Sequence, residues 1–290
     1  MKIITVVGAR PQIIKAAAIS RVINDKFPQI EEIILHTGQH YDQNMSDVFF
    51  DELNIPKPAI NLNVGSSSHG KQTAQMIEKI EQVLIEKNVD AIVVYGDTNS
   101  TLASAIAASK IHVPVIHIEA GLRSFNKKMP EEINRIMCDH CSTLLFSPTE
   151  TGYQNLIKEG FSTQISQKAS ADNPNIYHFG DIMFDNSIYF SELSDQKSTV
   201  LQNLNLVDQS YVLATVHRND NTDDSININA IFSSFLNLTE KHKISLVLPL
   251  HPRTFKMKEA LLDKAVQLKI DQSPYIKIIP PASFLDMIAL

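Results

Sequence analysis

The stretch MKIITVVGARPQIIK, residues 1–15, has the pattern of a buried strand that runs directly into a helix. Residues 2–7 form a β-branched, apolar run of the length expected for a strand inside a parallel sheet. Gly8 permits a tight turn and, because it lacks a Cβ, would let a ligand approach the backbone. Pro11 suits the first turn of a helix, and apolar residues then follow helical spacing as far as Ala18. The chain therefore begins with a strand–turn–helix unit of an α/β domain.

The turn of this unit carries charges that suit an anion. A helix N-terminus presents unpaired N–H groups and a partial positive charge, and Arg10 and Lys15 add two cations beside it. The combination favours a seat for a phosphate or diphosphate, and an ordinary turn with two solvated cations fits the residues equally well. The turn has neither the spaced glycines of a dinucleotide fingerprint nor the Gly-Lys-Ser/Thr of a P-loop, which disfavours NAD and ATP as its ligands.

The composition is that of a globular protein with about two domains, since 43% of the 290 residues are hydrophobic and 20% are charged. A net charge of −6 disfavours nucleic acid and anionic membranes as partners. No apolar run approaches the ~20 residues that a membrane crossing needs. The low cysteine content indicates a reducing compartment, so we expect a cytoplasmic protein.

Cys138 and Cys141 form a CxxC pair. A zinc site would need two further ligands at matching spacing, and a redox CxxC normally begins a helix, whereas this pair lies inside a predicted one. The sequence therefore predicts neither a metal nor a redox role for the pair.

Strand patterns alternate with helix patterns along the chain, which predicts parallel, doubly wound sheets. The expected strands are 2–7, 32–37, 90–95, 113–118, 143–147 and 176–180, followed by 211–216, 244–250 and 275–279. The expected helices include 44–53, 71–87, 99–110, one beginning at Pro130, 148–158, 225–242, 254–269 and 283–290. A self-sufficient doubly wound domain usually has about five or six strands. We therefore expect a first domain over 1–180 and an incomplete second domain over 181–290.

Charged residues follow two strands of the first half, at the edge where doubly wound sheets bind ligands. Asp97 comes after the strand at 90–95, where its ordinary use would be to cap the helix that begins near Asn99. Glu119 comes after the strand at 113–118. A carboxylate at the end of a buried strand has few structural uses, so a functional role is favoured for Glu119.

Further candidates lie in the helix that begins at Pro130 and in the second half. Glu131 and Arg135 are spaced i,i+4, and a surface ion pair accounts for both without a catalytic role. His217 ends the first strand of the second half, where a structural role and a site role fit equally well. The cations and carboxylates together suit acid–base chemistry on a phosphorylated or nucleotide-linked substrate.

Seven motifs then occur in a fixed order along the chain. They are GARPQIIK (8–15), YGDTNSTLA (95–103), HIEAGLRS (117–124), MPEEINR (129–135), FGD (179–181), TVHR (215–218) and LHPR (250–253). The ordered set resembles the non-hydrolysing UDP-N-acetylglucosamine 2-epimerase family over essentially the whole chain. The resemblance implies a glycosyltransferase-B-like fold with two Rossmann-type domains and an interdomain cleft, with no NAD or metal required. Relatives continue through an SGG-containing stretch, which implies that this chain is truncated at its C-terminus.

The resemblance also implies a reaction. The family inverts C2 of a UDP-sugar, from the UDP-GlcNAc type to the UDP-ManNAc type, by eliminating UDP and adding it back. By motif match, the catalytic residues are Asp97, Glu119, Glu131 and His217. The substrate-binding residues are Arg10, Lys15 and Arg135, the last supporting Glu131. We expect a homodimer with a UDP-sugar as its ligand.

Some alternatives stay open. A hydrolysing relative, a glycosyltransferase of the same fold and a non-enzymatic UDP-sugar-binding remnant would share these motifs. The loop at 37–53, TGQHYDQNMSDVFFDEL, resembles a branch that acts in surface-polysaccharide synthesis, sometimes on modified UDP-sugars. The substrate could therefore be a UDP-diacetamido-uronic acid or a UDP-6-deoxy sugar. The first turn departs from many relatives, because it reads RPQ where they read RPE.

Overall fold

The structure of the chain, a computed structural model, describes residues 1–38, Phe50 and residues 56–290. The chain divides into two compact units, Met1–Ile188 and Tyr189–Leu290. The helix predicted at 44–53 lies outside the described residues apart from Phe50. The domain limits 1–180 and 181–290 stay a prediction.

The first unit is built from alternating strands and helices. Its described strands are β1 (Lys2–Val7), β2 (Glu31–His36), β3 (Ile60–Asn61), β4 (Ala91–Tyr95), β5 (Val115–Ile118), β6 (Leu144–Ser147) and β7 (Asn175–His178). Its described helices are α1 (Arg10–Lys26), α2 (His69–Lys87), α3 (Asn99–Lys110), α4 (Pro130–Cys141) and α5 (Glu150–Lys158). A further helix, α6 (Ile182–Lys197), passes from the first unit into the second.

The strands of the first unit form one parallel sheet in the order β3-β2-β1-β4-β5-β6-β7. β1 pairs on one side with β2, Ile4 opposite Ile33, and on the other side with β4, Thr5 opposite Val93. The chain therefore leaves β1 in one direction for β2 and β3, and returns to its other side for β4. This reversal places the turns that follow β1 and β4 side by side, where open α/β sheets bind ligands.

Both faces of this sheet are buried, which explains why its central strands are mainly apolar. Ile4, Leu35 and Ile92 have no exposed surface and pack in one core with Met76 and Leu84 of α2. Each such side chain contributes about 1.5–3 kcal/mol by burial. The predicted bounds of β1 and α3 are confirmed, whereas β3 was not predicted, because two residues carry too little periodic signal.

The second unit has a smaller sheet. Its described strands are β8 (Tyr211–Leu213), β9 (Ser245–Pro249) and β10 (Ile276–Ile279). Its described helices, after α6, are α7 (Val200–Asn203), α8 (Asn219–Thr222), α9 (Ser225–His242), α10 (Pro252–Leu261), α11 (Lys264–Asp271) and α12 (Phe284–Ala289). The strands are parallel in the order β10-β9-β8, and Phe232 and Leu248 are fully buried in their core.

The single helix predicted at 254–269 is wrong, since the structure has α10 and α11 there. Leu262 takes an extended backbone conformation with ψ of 137° and buries its side chain in the core. The backbone N–H of Asp263 then donates to Asn229 of α9, at 2.9 Å, instead of to a helical carbonyl. Tertiary packing therefore overrides a continuous helical pattern at this point.

The fold class expected from the sequence is confirmed as an α/β arrangement with parallel sheets. None of the helices formed by the described residues combines the length and the apolar character that crossing a membrane requires.

Candidate functional site

The turn between β1 and α1 is filled by protein atoms at Gly8. A Cβ on Gly8 would lie 2.1 Å from Ser100 Oγ and 2.4 Å from Thr37 Oγ1. Gly8 is therefore needed for close packing, which corrects the expectation that its missing Cβ makes room for a ligand. The Gly8 N–H donates to Gln12 Oε1 at 2.9 Å, so this amide is occupied by the protein itself.

Gln12 ties the first turn to the end of β4. Its side chain is buried, and Nε2 donates to the Tyr95 carbonyl at 2.8 Å and to Thr101 Oγ1 at 3.0 Å. Sequence reasoning noted Gln12 only as a departure from relatives. A polar residue on the inner face of an otherwise apolar first turn is the signal that could have found it.

Lys15 and Glu119 form an ion pair across the edge of the sheet. Glu119 follows β5 with a φ of +80°. Residues other than glycine rarely adopt this backbone conformation, which costs about 1–3 kcal/mol. Two backbone contacts fix this conformation, because the N–H groups of Glu119 and Ala120 both donate to the Phe146 carbonyl at 3.0 Å. The strain is typical of residues that are held in place for function.

Gly96 lies against this ion pair. A Cβ on Gly96 would lie 3.4 Å from Glu119 Oε2 and 3.6 Å from Lys15 Nζ, and the residue has a φ of +63°. The turn after β4 therefore reaches both charged side chains, and Asp97 is the next residue in that turn.

Asp97 accepts a hydrogen bond from Arg135 of α4. The alternative role of Asp97 as the cap of α3 does not apply, because Thr98 is the cap and its Oγ1 accepts from the Thr101 N–H at 3.3 Å. The Asp97 backbone is held as well, since Asn134 Nδ2 donates to its carbonyl at 2.9 Å. Asp97 is thus fixed from both its side chain and its main chain by α4.

The surface ion pair predicted between Glu131 and Arg135 is wrong. Arg135 instead contacts Asp97 and Glu132, with Nη1 3.4 Å from Glu132 Oε2. Glu131 is exposed in the first turn of α4, while Glu132 one residue on is buried. Glu131 and Glu132 are both one turn from Arg135, and Arg135 pairs with the buried Glu132.

Glu132 organises the loop before α4. Its carboxylate accepts from the N–H and Oγ of Ser124 and from the N–H of Phe125, each at 2.9 Å. Burial by itself would raise the pKa of Glu132, but these hydrogen bonds and the nearby Arg135 outweigh it and lower that pKa. The role of Glu132 is therefore structural support for this loop.

The structure brings together four of the predicted site residues at the carboxyl edge of the first sheet: Lys15, Asp97, Glu119 and Arg135. Arg10 is the first residue of α1 and its side chain is exposed. Opposite charges alternate across the edge, so a bound anion would meet cations next to carboxylates that can accept a proton.

His217 belongs to the second unit. It is exposed after β8 and lines a cavity of about 210 Å³ together with Val216, Pro249, His251 and Met287. His251 has a structural role, because it caps α10 and its Nδ1 accepts from the Arg253 N–H at 3.3 Å. A mostly apolar lining with a few polar groups is typical of a small-molecule site.

The CxxC pair lies within α4, as predicted. Both cysteines are free thiols, with Cys138 buried and Cys141 partly buried. Burial raises the pKa of the Cys141 thiol, which makes it less reactive. Within the part of the chain that the structure describes, no group of three or more His, Cys, Asp or Glu side chains could hold a metal ion.

Comparison with known proteins identifies the family. The sequence profile described as UDP-N-acetylglucosamine 2-epimerase matches residues 23–290. The chain belongs to the UDP-N-acetylglucosamine 2-epimerase family. The family expected from the ordered motifs is therefore confirmed, and with it an isomerase class of enzyme.

Individual relatives agree with this assignment. The chain is 47% identical, over its whole length and 76% of the relative, to a UDP-N-acetylglucosamine 2-epimerase homolog of Methanococcus maripaludis. It is 44% identical, over its whole length and 75% of the relative, to the UDP-2,3-diacetamido-2,3-dideoxy-D-glucuronate 2-epimerase of Pseudomonas aeruginosa. The chain thus spans about three quarters of the length of these relatives.

A solved structure of a family member supports the fold. The UDP-GlcNAc 2-epimerase of Methanocaldococcus jannaschii matches with a TM-score of 0.83 and 36% identity, over 99% of this chain and 75% of that one. A second structure of that enzyme, in complex with UDP-GlcNAc and UDP, matches with a TM-score of 0.75. The glycosyltransferase-B-like fold class expected from the motifs is confirmed by these matches.

Proposed function

We propose that this protein inverts C2 of a UDP-GlcNAc-type sugar to give the UDP-ManNAc type. The observation that carries the proposal is the pairing of Glu119 with Lys15 and of Asp97 with Arg135 at neighbouring strand ends. Two carboxylates that contact cations can exchange a proton with a sugar carbon while the cations attract a diphosphate. Membership of the epimerase family supports the same chemistry.

The proposed reaction proceeds by elimination and re-addition. A carboxylate removes the proton from C2, the C1–O bond breaks, and UDP leaves with the bonding electrons as a C1–C2 double bond forms. UDP oxygen then adds back to C1, and a second carboxylic acid returns a proton to the opposite face of C2. The net change is the configuration at C2, so no oxidant or reductant is needed.

Each predicted site residue has a role in this proposal. Asp97, Glu119 and Glu131 are the acid–base carboxylates, and His217 contacts the substrate or its diphosphate. Arg10 and Lys15 bind the sugar-phosphate side. The motifs implied that Arg135 supports Glu131. Because Arg135 donates a hydrogen bond to Asp97, we propose instead that it orients Asp97.

The sugar is proposed by class. UDP-GlcNAc is the first candidate, because the matching family profile is described by that substrate. A UDP-2,3-diacetamido-uronic acid is the second, because a relative that is 44% identical is named for it. Either product suits surface-polysaccharide synthesis, which is the pathway class we propose.

Turnover in deuterated water tests the proposal. The protein is incubated in turn with UDP-GlcNAc, UDP-2,3-diacetamido-glucuronate and UDP-glucose, and the products are followed by proton NMR. We expect the C2 epimer of one acetamido sugar with deuterium at C2, and no change in UDP-glucose. Release of free sugar would indicate hydrolysis instead, transfer only in the presence of an acceptor would indicate a glycosyltransferase, and binding without turnover would indicate a remnant.

Assembly and location complete the proposal. We infer a cytoplasmic homodimer, and the free thiols of Cys138 and Cys141 support a reducing compartment. Light scattering on the purified protein measures the oligomeric state. Ile133 and Met137 are exposed on α4 one turn apart, so Ile133→Glu would dissociate a dimer that uses this face.

A further inference from the structure

His117 is a fully buried residue of β5 that the proposed reaction does not use. Its Nε2 lies 2.8 Å from the Gly96 carbonyl oxygen and its Nδ1 lies 2.7 Å from Asp139 Oδ1. A carbonyl oxygen can only accept, so Nε2 must donate. The Asp139 carboxylate accepts from Arg123 at 2.7 Å and acts as an acceptor toward the ring, so Nδ1 donates as well. The His117 ring therefore carries both protons and a positive charge.

His117 belongs to a network of side chains whose charges alternate in sign. Asp139 also accepts from the Gly121 N–H at 3.1 Å, and Arg123 continues to Glu159 at 2.7 Å. The side chains of His117 and Asp139 have no exposed surface, and that of Arg123 is 1% exposed. Burying ionic groups costs free energy unless each group is paired. Because every group of this network is paired, we take the network to serve a purpose in the protein.

This network joins the elements that carry the proposed acid–base residues. Gly96 begins the turn that contains Asp97, and His117 lies on β5, which Glu119 directly follows. Asp139 lies on α4, which carries Arg135, the partner of Asp97. The ring of His117 thus connects the backbone under Asp97 to the helix that holds its side chain.

We propose that His117 is a positioning residue: its Nε2–H holds the turn bearing Asp97 through the Gly96 carbonyl, and its Nδ1–H orients the ring against Asp139 of the helix that bears Arg135. The inference rests on the proposed function, since it concerns the geometry of one of its carboxylates. A neutral imidazole has a single N–H and would keep only one of the two contacts, so the charged ring is required. Burial opposes that charge, but the contacts with Cys138 and Asp139 outweigh it and raise the pKa of His117 well above its ordinary value.

A pair of substitutions separates the two contacts. In His117→Asn the amide NH₂ takes the place of Nδ1, so the bond to Asp139 is kept and the bond to Gly96 is lost. In His117→Gln the amide NH₂ takes the place of Nε2, so the bond to Gly96 is kept and the bond to Asp139 is lost. His112→Asn is the control, because His112 is exposed just before β5 with a φ of +62°, which asparagine tolerates.

We expect His117→Asn to lower kcat by about 10²-fold, the effect of a small misplacement of a reacting group. His117→Gln should lower it by less than about tenfold, with KM changed by less than about twofold in both variants because the substrate contacts remain. A purely structural histidine would give similar kcat losses in both variants, in step with their melting temperatures. That result, or an unchanged kcat in His117→Asn, would overturn the inference.

A measurement without substrate keeps the inference separate from the proposed function. If the wild-type protein turns over none of the UDP-sugars, the function fails, and backbone amide relaxation at Asp97 and Thr98 then tests the positioning. Faster motion of these amides in His117→Asn, and not in His117→Gln or His112→Asn, supports the inference. Unchanged relaxation in His117→Asn contradicts it.

Discussion

The carboxyl edge of the first sheet and the cavity of the second unit hold their charged groups in different ways. At the sheet edge, Asp97 and Glu119 each contact a cation, and Asp97 is also held through its backbone. In the cavity, His217 is exposed and makes no hydrogen bond or ion pair with any other described residue. The first region is thus organised before a ligand arrives, and the second keeps its polar group available to one.

The difference follows from what each region is proposed to do. Proton transfer to a sugar carbon depends on the position and the charge of the carboxylates, so their geometry is fixed by the protein. We propose that the cavity binds part of the nucleotide, which requires an accessible surface with a few polar groups beside an apolar lining such as Val216, Pro249 and Met287. Substitutions at the edge should therefore change turnover, and substitutions in the cavity should change affinity.

Glu119→Gln should have the largest effect. The substitution keeps the size of the side chain and removes its ability to exchange a proton, so we expect turnover to fall by about 10²-fold or more. The measurement is kcat for the UDP-sugar that the wild-type protein epimerises, with Glu78→Gln, an exposed change on α2, as the control. Near-normal turnover in Glu119→Gln would show that this residue does not take part in the reaction. It would also contradict the view that the sheet edge, and not the cavity, determines turnover.

Glu132→Gln should have the next largest effect, on stability. The amide would turn an N–H toward the donors of Ser124 and Phe125, so we expect a loss of about 1.5–3 kcal/mol in the free energy of unfolding at pH 7. The folded-state pKa of Glu132 is lowered, so its stabilisation is complete above the unfolded value of about 4.3 and is lost as the pH falls through the folded value.

The measurement is urea unfolding of both proteins from pH 7 down to pH 3. The gap between wild type and Glu132→Gln should narrow at the acid end. A gap that stays constant with pH would mean that packing, and not the charge of Glu132, supports the loop.

His217→Asn should have a smaller effect that appears in binding. The exposed imidazole has no structural bond to lose, so we expect unchanged stability and a five- to tenfold weaker Kd for UDP, about 1–1.4 kcal/mol. Isothermal titration with UDP measures this, and His242→Asn at the end of α9 is the control. Unchanged affinity together with a large loss of kcat would move His217 from the binding region into the chemistry.

The sequence predicts the placement of the edge residues better than their contacts. Lys15, Asp97 and Glu119 follow from strand and helix boundaries alone, because parallel strands bring their carboxyl ends together. Their proposed roles came from the family motifs. The partners came only from the structure, because Gln12 meets Tyr95 across 83 positions and Asp97 meets Arg135 across 38. Periodicity describes which face a residue occupies and carries no information on such pairs.

Two kinds of error show what pattern reasoning lacks. Asp97 and Glu131 were given ordinary local partners, a helix cap and an i,i+4 ion pair, and tertiary contacts replaced both. The positive φ of Glu119 was also not predicted, because a strained backbone is held by long-range bonds such as those to Phe146. Local rules therefore fail first at the edge of the sheet, where long-range contacts determine conformation.

The pH dependence of stability gives the smallest expected signal and tests the buried charge beside the carboxylates. The pKa of His117 is raised, so its stabilisation is complete below the unfolded value of about 6.5 and declines as the pH rises toward the folded value. The slope from one proton is at most about 1.4 kcal/mol per pH unit. Asp139 and Cys138 of α4 face the ring, and their contacts with it raise the pKa of His117. The free energy of unfolding, measured between pH 6 and 9, should show this decline in wild type and not in His117→Gln. Parallel curves for the two proteins would mean that the ring is neutral and that no buried cation supports the carboxyl edge of the first sheet.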